Sequence, residues 1–204
     1  MKTGFDMLFL DMDNVIMKNP FHDIIGDADL EIQVDEGSST AAVDIHRNPH
    51  MCAGAFFLKS NSRTLKFLDR AEQALFAGME DIMDDQHALN FVIHDRTYAR
   101  TINRFEKDEQ NTPIGGYAEG PEDDRISVRV VPVENFMNGH VLTNWVKMDF
   151  DKGVMTLVSD TTGEVIKELD VSLVHLNGIK NKEEIMTKFQ WWILNDDLTC
   201  PLSY

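Results

Sequence analysis

The chain has 204 residues, 43% of them hydrophobic, with 35 acidic against 19 basic side chains and a formal net charge of −16. That length and apolar share suit one domain with a single core rather than a disordered chain. The acidic balance argues against a nucleic-acid partner and against contact with an anionic membrane, because both need clustered Lys and Arg. A phosphorylated small ligand stays open, provided a divalent cation bridges carboxylate to phosphate. No apolar run approaches the roughly 18–20 residues that span a bilayer, and the first residues lack the apolar stretch of a signal peptide. With neither signal nor anchor, the chain by itself reads as cytoplasmic or of unassigned location. Cys52 and Cys200 are the only cysteines. They are too few for a zinc cage, and nothing requires them to pair.

In chain order, residues 6–10 form an apolar run that suits a buried strand. Val15-Ile16-Met17 continues it, and Asn19-Pro20 interrupts. Residues 30–34 alternate apolar and polar as a strand does, and 53–58 are a third apolar run containing Gly54. Ser60-Asn61-Ser62 reads as a helix start, with Leu65, Leu68, Ala71 and Leu75 on one face and Gly78 as its stop. A second helix covers 84–91, with Ala88, Leu89 and Val92 inward. Residues 97–124, rich in charge, Gly and Pro, read as a long loop or excursion within a single domain spanning 1–204. Residues 126–133 form a strand, 154–158 and 164–169 a hairpin across Asp160-Thr161-Thr162-Gly163, and 173–175 a last short strand. Residues 182–192 make an amphipathic helix with Ile185, Phe189 and Trp192 inward. Interleaved strands and helices indicate an α/β domain.

The chemistry concentrates in Asp11-Met12-Asp13, directly after the first strand. On an extended segment, residues two apart face the same side, so both carboxylates would meet one hard cation, Mg²⁺ or Mn²⁺. An ordinary acidic turn fits the same residues. Phe9-Leu10-Asp11-Met12-Asp13-Asn14-Val15 also looks like the first motif of haloacid-dehalogenase-type phosphatases, in which Asp11 would be the nucleophile. Ser60 and Asp160 are the residues available to complete that arrangement. Phe56, Phe57, Trp191 and Trp192 read as core, and His22, His46, His50, His87 and His94 show no metal-ligand spacing.

A different resemblance spans nearly the whole chain. Residues 8–16 followed by Lys18-Asn19-Pro20-Phe21, the block 52–64 around Gly54, Asp85-Gln86-His87-Ala88-Leu89-Asn90, residues 131–140, and Val174-His175-Leu176-Asn177 running to Lys182 come in the order of the nucleotide-diphospho-sugar transferase family. That family includes plant cell-wall xylosyl- and arabinosyl-transferases. The resemblance implies a glycosyltransferase A-like α/β fold, with a mixed, mostly parallel sheet flanked by helices. It implies Mn²⁺ or Mg²⁺ as cofactor, a nucleotide-sugar donor (a UDP-sugar), a glycan or glycoprotein acceptor, and work in the Golgi or secretory lumen. Asp13 would be a direct metal ligand, Asp11 a ligand or a bridge to the ribose, and His175 the third ligand. Asp85 and Gln86 would face the donor sugar as catalytic residues, although Asp85 also suits a helix cap. Gly54 would let the strand backbone approach the sugar, and Asn177 and Lys182 would bind the donor with Asp11. Two departures stand out. Cys52 occupies a place where the family usually has Asn, and only ten residues precede Asp11. The first βα unit, which would hold the nucleoside base, is therefore expected to be lacking, and an inactive binding module that keeps the fold is a further reading.

Overall fold

The computed structural model describes residues 4–26, 28–35, 50–77, 84–94, 106–107, 113–117, 126–152, 154–159, 161–189 and 191. Strands β1 (Met7–Leu10) and β2 (Asn14–Ile16) are followed by a single 3₁₀ turn, Pro20–His22, capped by the Asn19 side chain. Strands β3 (Leu30–Val34) and β4 (Met51–Leu58) and helices α1 (Ser62–Phe76) and α2 (Asp85–His94) come next. Then come β5 (Glu106–Lys107), β6 (Pro113–Tyr117), β7 (Ser127–Val130), β8 (Phe136–Asn138), α3 (Gly139–Trp145) and β9 (Val146–Asp149). Strands β10 (Val154–Val158), β11 (Val165–Leu169) and β12 (Leu173–His175) and helix α4 (Lys182–Lys188) complete the described elements.

The architecture is α/β with mixed sheets, as the resemblance implies. A six-stranded sheet runs β1-β4-β3-β7-β6-β5, and two three-stranded sheets run β2-β12-β8 and β11-β10-β9. The balance within them differs from the mostly parallel expectation. Among the described residues the parallel pairings are β3 with β7 and β8 with β12, and the others are antiparallel. The physical reason is connectivity: β9, β10 and β11 join through short turns, which give antiparallel neighbours. Within the stretch 97–124 the described residues are 106–107 and 113–117. They contribute β5 and β6, which extend the large sheet from β7.

Every residue of β3 and β4 is buried. For β4 an unbroken apolar run foretells this. For β3 the alternation foretells one wet face, yet Glu31 and Gln33 are fully buried. One face of β3 joins Leu30, Ile32 and Val34 to the core beneath α1 and α2, while its other face turns toward β8 and β12. Helix α1 begins in a reciprocal capping box: Asn61 Oδ1 accepts from the Thr64 amide, and Thr64 Oγ1 faces the Asn61 amide. Its buried stripe is Thr64, Phe67, Ala71 and Ala74, with Leu68 and Leu75 partly buried at its border. This is a rotation from the expected Leu65–Leu68–Ala71–Leu75 face. Gly78, Cys200 and Trp192 fall outside the described residues. Phe189 is buried and stacks on Trp191 at 4.8 Å between ring centres.

Asp29 joins the elements at one end of the large sheet. Its carboxylate accepts from Arg63 Nε at 2.9 Å and Nη2 at 2.7 Å, from Asn61 Nδ2 at 2.7 Å and from the Ser127 amide at 3.0 Å. Burial pushes this carboxyl upward, but the hydrogen bonds from Arg63, Ser127 and Asn61 outweigh it and hold its pKa below the ordinary value. A carboxyl depressed on folding stabilises fully above its unfolded pKa of about 3.9, and that contribution fades as pH falls through the lower folded value. Asp29→Asn is therefore expected to lose about 1.5–3 kcal/mol at neutral pH. Urea unfolding should show the gap between the two proteins narrowing below pH ~4; a gap that stays constant down to pH ~2 counts against this account.

Candidate functional site

The strand pairings bring the chemistry together. Leu10 pairs with Ala55 in the large sheet, and Asn14 pairs with His175 in the small one. Asp11-Met12-Asp13 is therefore the crossing between two sheets. It is a turn rather than an extended segment: the Asn14 amide donates to the Asp11 carbonyl at 3.2 Å, and Met12 is wholly exposed. The two carboxylates converge because the turn folds them toward His175, not because residues two apart share a strand face. Asn14 Nδ2 locks the turn, donating to the carbonyls of Asp11 and Gly54, each at 2.9 Å.

His175 is 3% exposed and ends β12. Its Nε2 lies 3.1 Å from Asp13 Oδ1 and 3.7 Å from Asp11 Oδ2. One ligand atom from each of the three lies within 4.8 Å of the others, the one such trio among the described residues. A cation with bonds of about 2.1 Å places adjacent ligand atoms roughly 3–4 Å apart, which these separations match. Two hard oxygens and one imidazole nitrogen form a donor set suited to Mn²⁺ or Mg²⁺. Lys182 Nζ donates to the other oxygen of Asp13, Oδ2, at 2.6 Å, leaving Oδ1 turned to His175. Burial raises the Asp13 carboxyl, but the Lys182 hydrogen bond and the charges of His175 and Lys182 outweigh it and keep the group below its ordinary pKa. Asp13 is thus an anion ready to ligate.

Gly54 faces this trio. A Cβ there would lie 2.0 Å from His175 Cε1, 2.6 Å from Nε2 and 2.8 Å from Asp11 Oδ2. Only glycine fits. The described neighbours that require glycine here are the imidazole of His175 and the carboxylate of Asp11.

The remaining sequence candidates divide. Gln86 and Asn177 meet on Asp35, which sequence reasoning passed over. Gln86 Nε2 donates to Asp35 Oδ2 at 3.0 Å while its Oε1 accepts from the Ala53 amide at 3.0 Å. Asn177 donates to Asp35 Oδ1 and accepts from the Gly139 amide at 2.9 Å. Asp35 thereby ties α2, β4 and the segment after β12 beside the trio. Asp85 stands apart: exposed at the start of α2, it borders an apolar groove of about 410 Å³ with Phe9 and Phe56. At the start of α2, Asp84 accepts from the His87 amide and Asp85 from the Gln86 amide, each at 2.8 Å. Asn90, also unmarked by the sequence reading, binds both the amide and the carbonyl of Met51 and so pins α2 to β4.

Two further residues touch the far side of the imidazole. Cys52 Sγ and Gln33 Oε1 each lie 3.2 Å from His175 Nδ1. Burial, with the charges of Asp35, Asp11 and Asp13 adding to it, pushes the Cys52 thiol up to about 12, so it remains a neutral thiol. Gln33 carried no signal beyond a polar residue in an apolar strand; its burial is what marks it.

Parts of a phosphatase site do not assemble. Ser60 lies beside Asp6, whose carboxylate accepts from its amide, at the opposite end of β1 from Asp11. At about 3.3 Å per residue, that is roughly 16 Å of chain away. Asp160 lies outside the described residues. No helix among the described residues is long and apolar enough to cross a membrane.

The chain is 23% identical over 200 residues to a UDP-galactose:fucoside alpha-3-galactosyltransferase of Dictyostelium discoideum, an alignment covering 97% of this chain and 26% of that protein. The chain thus spans about a quarter of the length of this relative. No solved structure matches it. Residues 1–189 match the nucleotide-diphospho-sugar transferase family, and the chain belongs to that family.

Proposed function

We propose that the chain transfers a sugar from a UDP-sugar to an acceptor hydroxyl of a glycan or glycoprotein, with Mn²⁺ or Mg²⁺ held by Asp11, Asp13 and His175. The observation that carries this reading is the convergence of two carboxylates and one buried imidazole at the crossing of two sheets. Family membership supports glycosyl transfer, and the UDP-galactose in the relative's name supports UDP as the nucleotide. A divalent ion at this trio would offset the charge that develops on the leaving diphosphate. Lys182 stands beside Asp13 and reaches the same region, placed to pair with a diphosphate oxygen. Asn177 and Gln86 both donate to Asp35, and we assign these three side chains to the donor sugar. We assign Asp85, on the exposed start of α2, to the sugar or acceptor rim. A working place in the secretory lumen follows from the same family reading.

Calorimetry with UDP tests this. UDP should bind in the presence of Mn²⁺ and not in its absence, and Asp13→Ala should weaken that binding 100-fold or more, about 2.7 kcal/mol. Failure of UDP to bind under either condition points instead to a non-catalytic module. Trapping of beryllium fluoride on Asp11 points to the phosphatase.

A further inference from the structure

The buried imidazole has a second face, and that face is built. Gln33 is fully buried on β3, opposite Cys52 on β4. Its Nε2 donates to the Phe136 carbonyl at 2.9 Å. A carbonyl can only accept, so this bond fixes which way the amide points: the nitrogen toward Phe136, Oε1 toward His175 Nδ1 at 3.2 Å. An acceptor at Nδ1 calls for a proton there, and a neutral imidazole with its proton on Nδ1 presents a bare lone pair at Nε2. Nε2 is the nitrogen that faces Asp11 and Asp13.

From this geometry we infer that Gln33 is a positioning residue: through His175 Nδ1 it sets the ring orientation and the tautomer that let Nε2 ligate a divalent cation. The inference rests on the metal reading of the trio and adds the partner that reading lacks. A ligating histidine whose other ring nitrogen is held by an oxygen is a stronger and better-aimed ligand, and loss of such partners commonly costs 10–100-fold in metal affinity. Cys52 Sγ, the other neighbour of Nδ1, is a weak acceptor and does not replace an amide oxygen. The chain of contacts runs Phe136 carbonyl, Gln33, His175, cation site. It links β8, β3 and β12, three strands from two sheets, so the imidazole is held by the fold and not by its own strand alone.

Two substitutions separate positioning from plain packing. Gln33→Met keeps the volume and removes both polar contacts. Gln33→Glu keeps an acceptor for Nδ1–H but loses the donor to Phe136 and buries a charge. If Gln33 only supported the strand, Glu would be the more damaging change. If it positions His175, Met is. Mn²⁺ binding, followed by electron paramagnetic resonance on the full chain, should weaken 10–100-fold in Gln33→Met and stay within about tenfold of the unaltered protein in Gln33→Glu. In the Cd²⁺-loaded unaltered protein, ¹⁵N spectra should show a protonated, hydrogen-bonded Nδ1 on His175, and that signal should shift in Gln33→Met. Equal Mn²⁺ affinity in Gln33→Met and the unaltered protein overturns the inference and leaves the metal site standing. So does a larger loss in Cys52→Ala than in Gln33→Met. Absence of Mn²⁺ and Cd²⁺ binding to the unaltered protein overturns the metal reading, and this inference with it.

Discussion

Gly54→Ala should abolish high-affinity cation binding while leaving a folded chain. The added methyl would lie 2.0 Å from His175 Cε1 and 2.6 Å from its Nε2, well inside any real contact. His175 cannot simply swing aside, because it is 3% exposed and held at Nδ1. Nor can Gly54 retreat easily, since its carbonyl accepts from both the Asp11 amide and Asn14 Nδ2. Either the imidazole tilts away from Asp13 or β4 shifts, and both separate the three ligand atoms. Overpacking of this kind costs about 1–3 kcal/mol of stability. The effect on Mn²⁺ affinity should be larger, 100-fold or more, about 2.7 kcal/mol. Mn²⁺ titration alongside thermal unfolding reads both quantities, and normal Mn²⁺ binding by the Gly54→Ala variant would show that the trio is not the cation site.

The largest expected loss of stability lies away from the site, at Glu31 and Arg129. Both are buried, with side chains 0% and 4% exposed, and they form a direct ion pair. The Glu31 carboxylate also accepts from the amides of Ile25, at 3.2 Å, and Gly26, while Arg129 Nη1 donates to the Asp23 carbonyl at 3.2 Å. Removing one partner leaves the other charge in a medium that cannot solvate it, at a cost of about 3–5 kcal/mol. A whole domain is commonly stable by only about 5–15 kcal/mol. Arg129→Met or Glu31→Met should therefore bring the chain close to unfolding. The double substitution should regain most of the loss, because no buried charge then remains; the amides of Ile25 and Gly26 would still lack an acceptor, at a cost of about 1–3 kcal/mol. Urea unfolding of the two single variants and the double variant measures this directly, and a single variant that costs under ~1 kcal/mol would refute it.

How far each part was legible follows from which interactions are local. The capping of α1 is written in Asn61 and Thr64, three residues apart, and the hairpin of β10 and β11 in the turn ending at Gly163, whose φ is +69°. The buried β4 is legible as an uninterrupted apolar run. Elements β8, α3 and β9 were not legible, because each is short and is stabilised by partners distant in sequence, such as β12 for β8. The alternation in β3 misled for a related reason: it records which side chains are apolar, not whether the second face will be covered.

By itself the sequence determined the family, through ordered blocks from Asp11 to Lys182, and the acidic pair at the end of the first strand. It also singled out His175, Gly54 and Lys182. Only the tertiary structure decided what these residues do to one another. It placed Asp11-Met12-Asp13 in a turn between two sheets and set Gly54 against the imidazole. It gathered Gln86 and Asn177 on Asp35, left Asp85 exposed at the start of α2, and put Gln33 behind His175, 142 positions away in the chain. Spacing along a chain reports local periodicity, whereas what stands behind a ligating side chain depends on which strands pair, and that is decided by the burial of whole sheets.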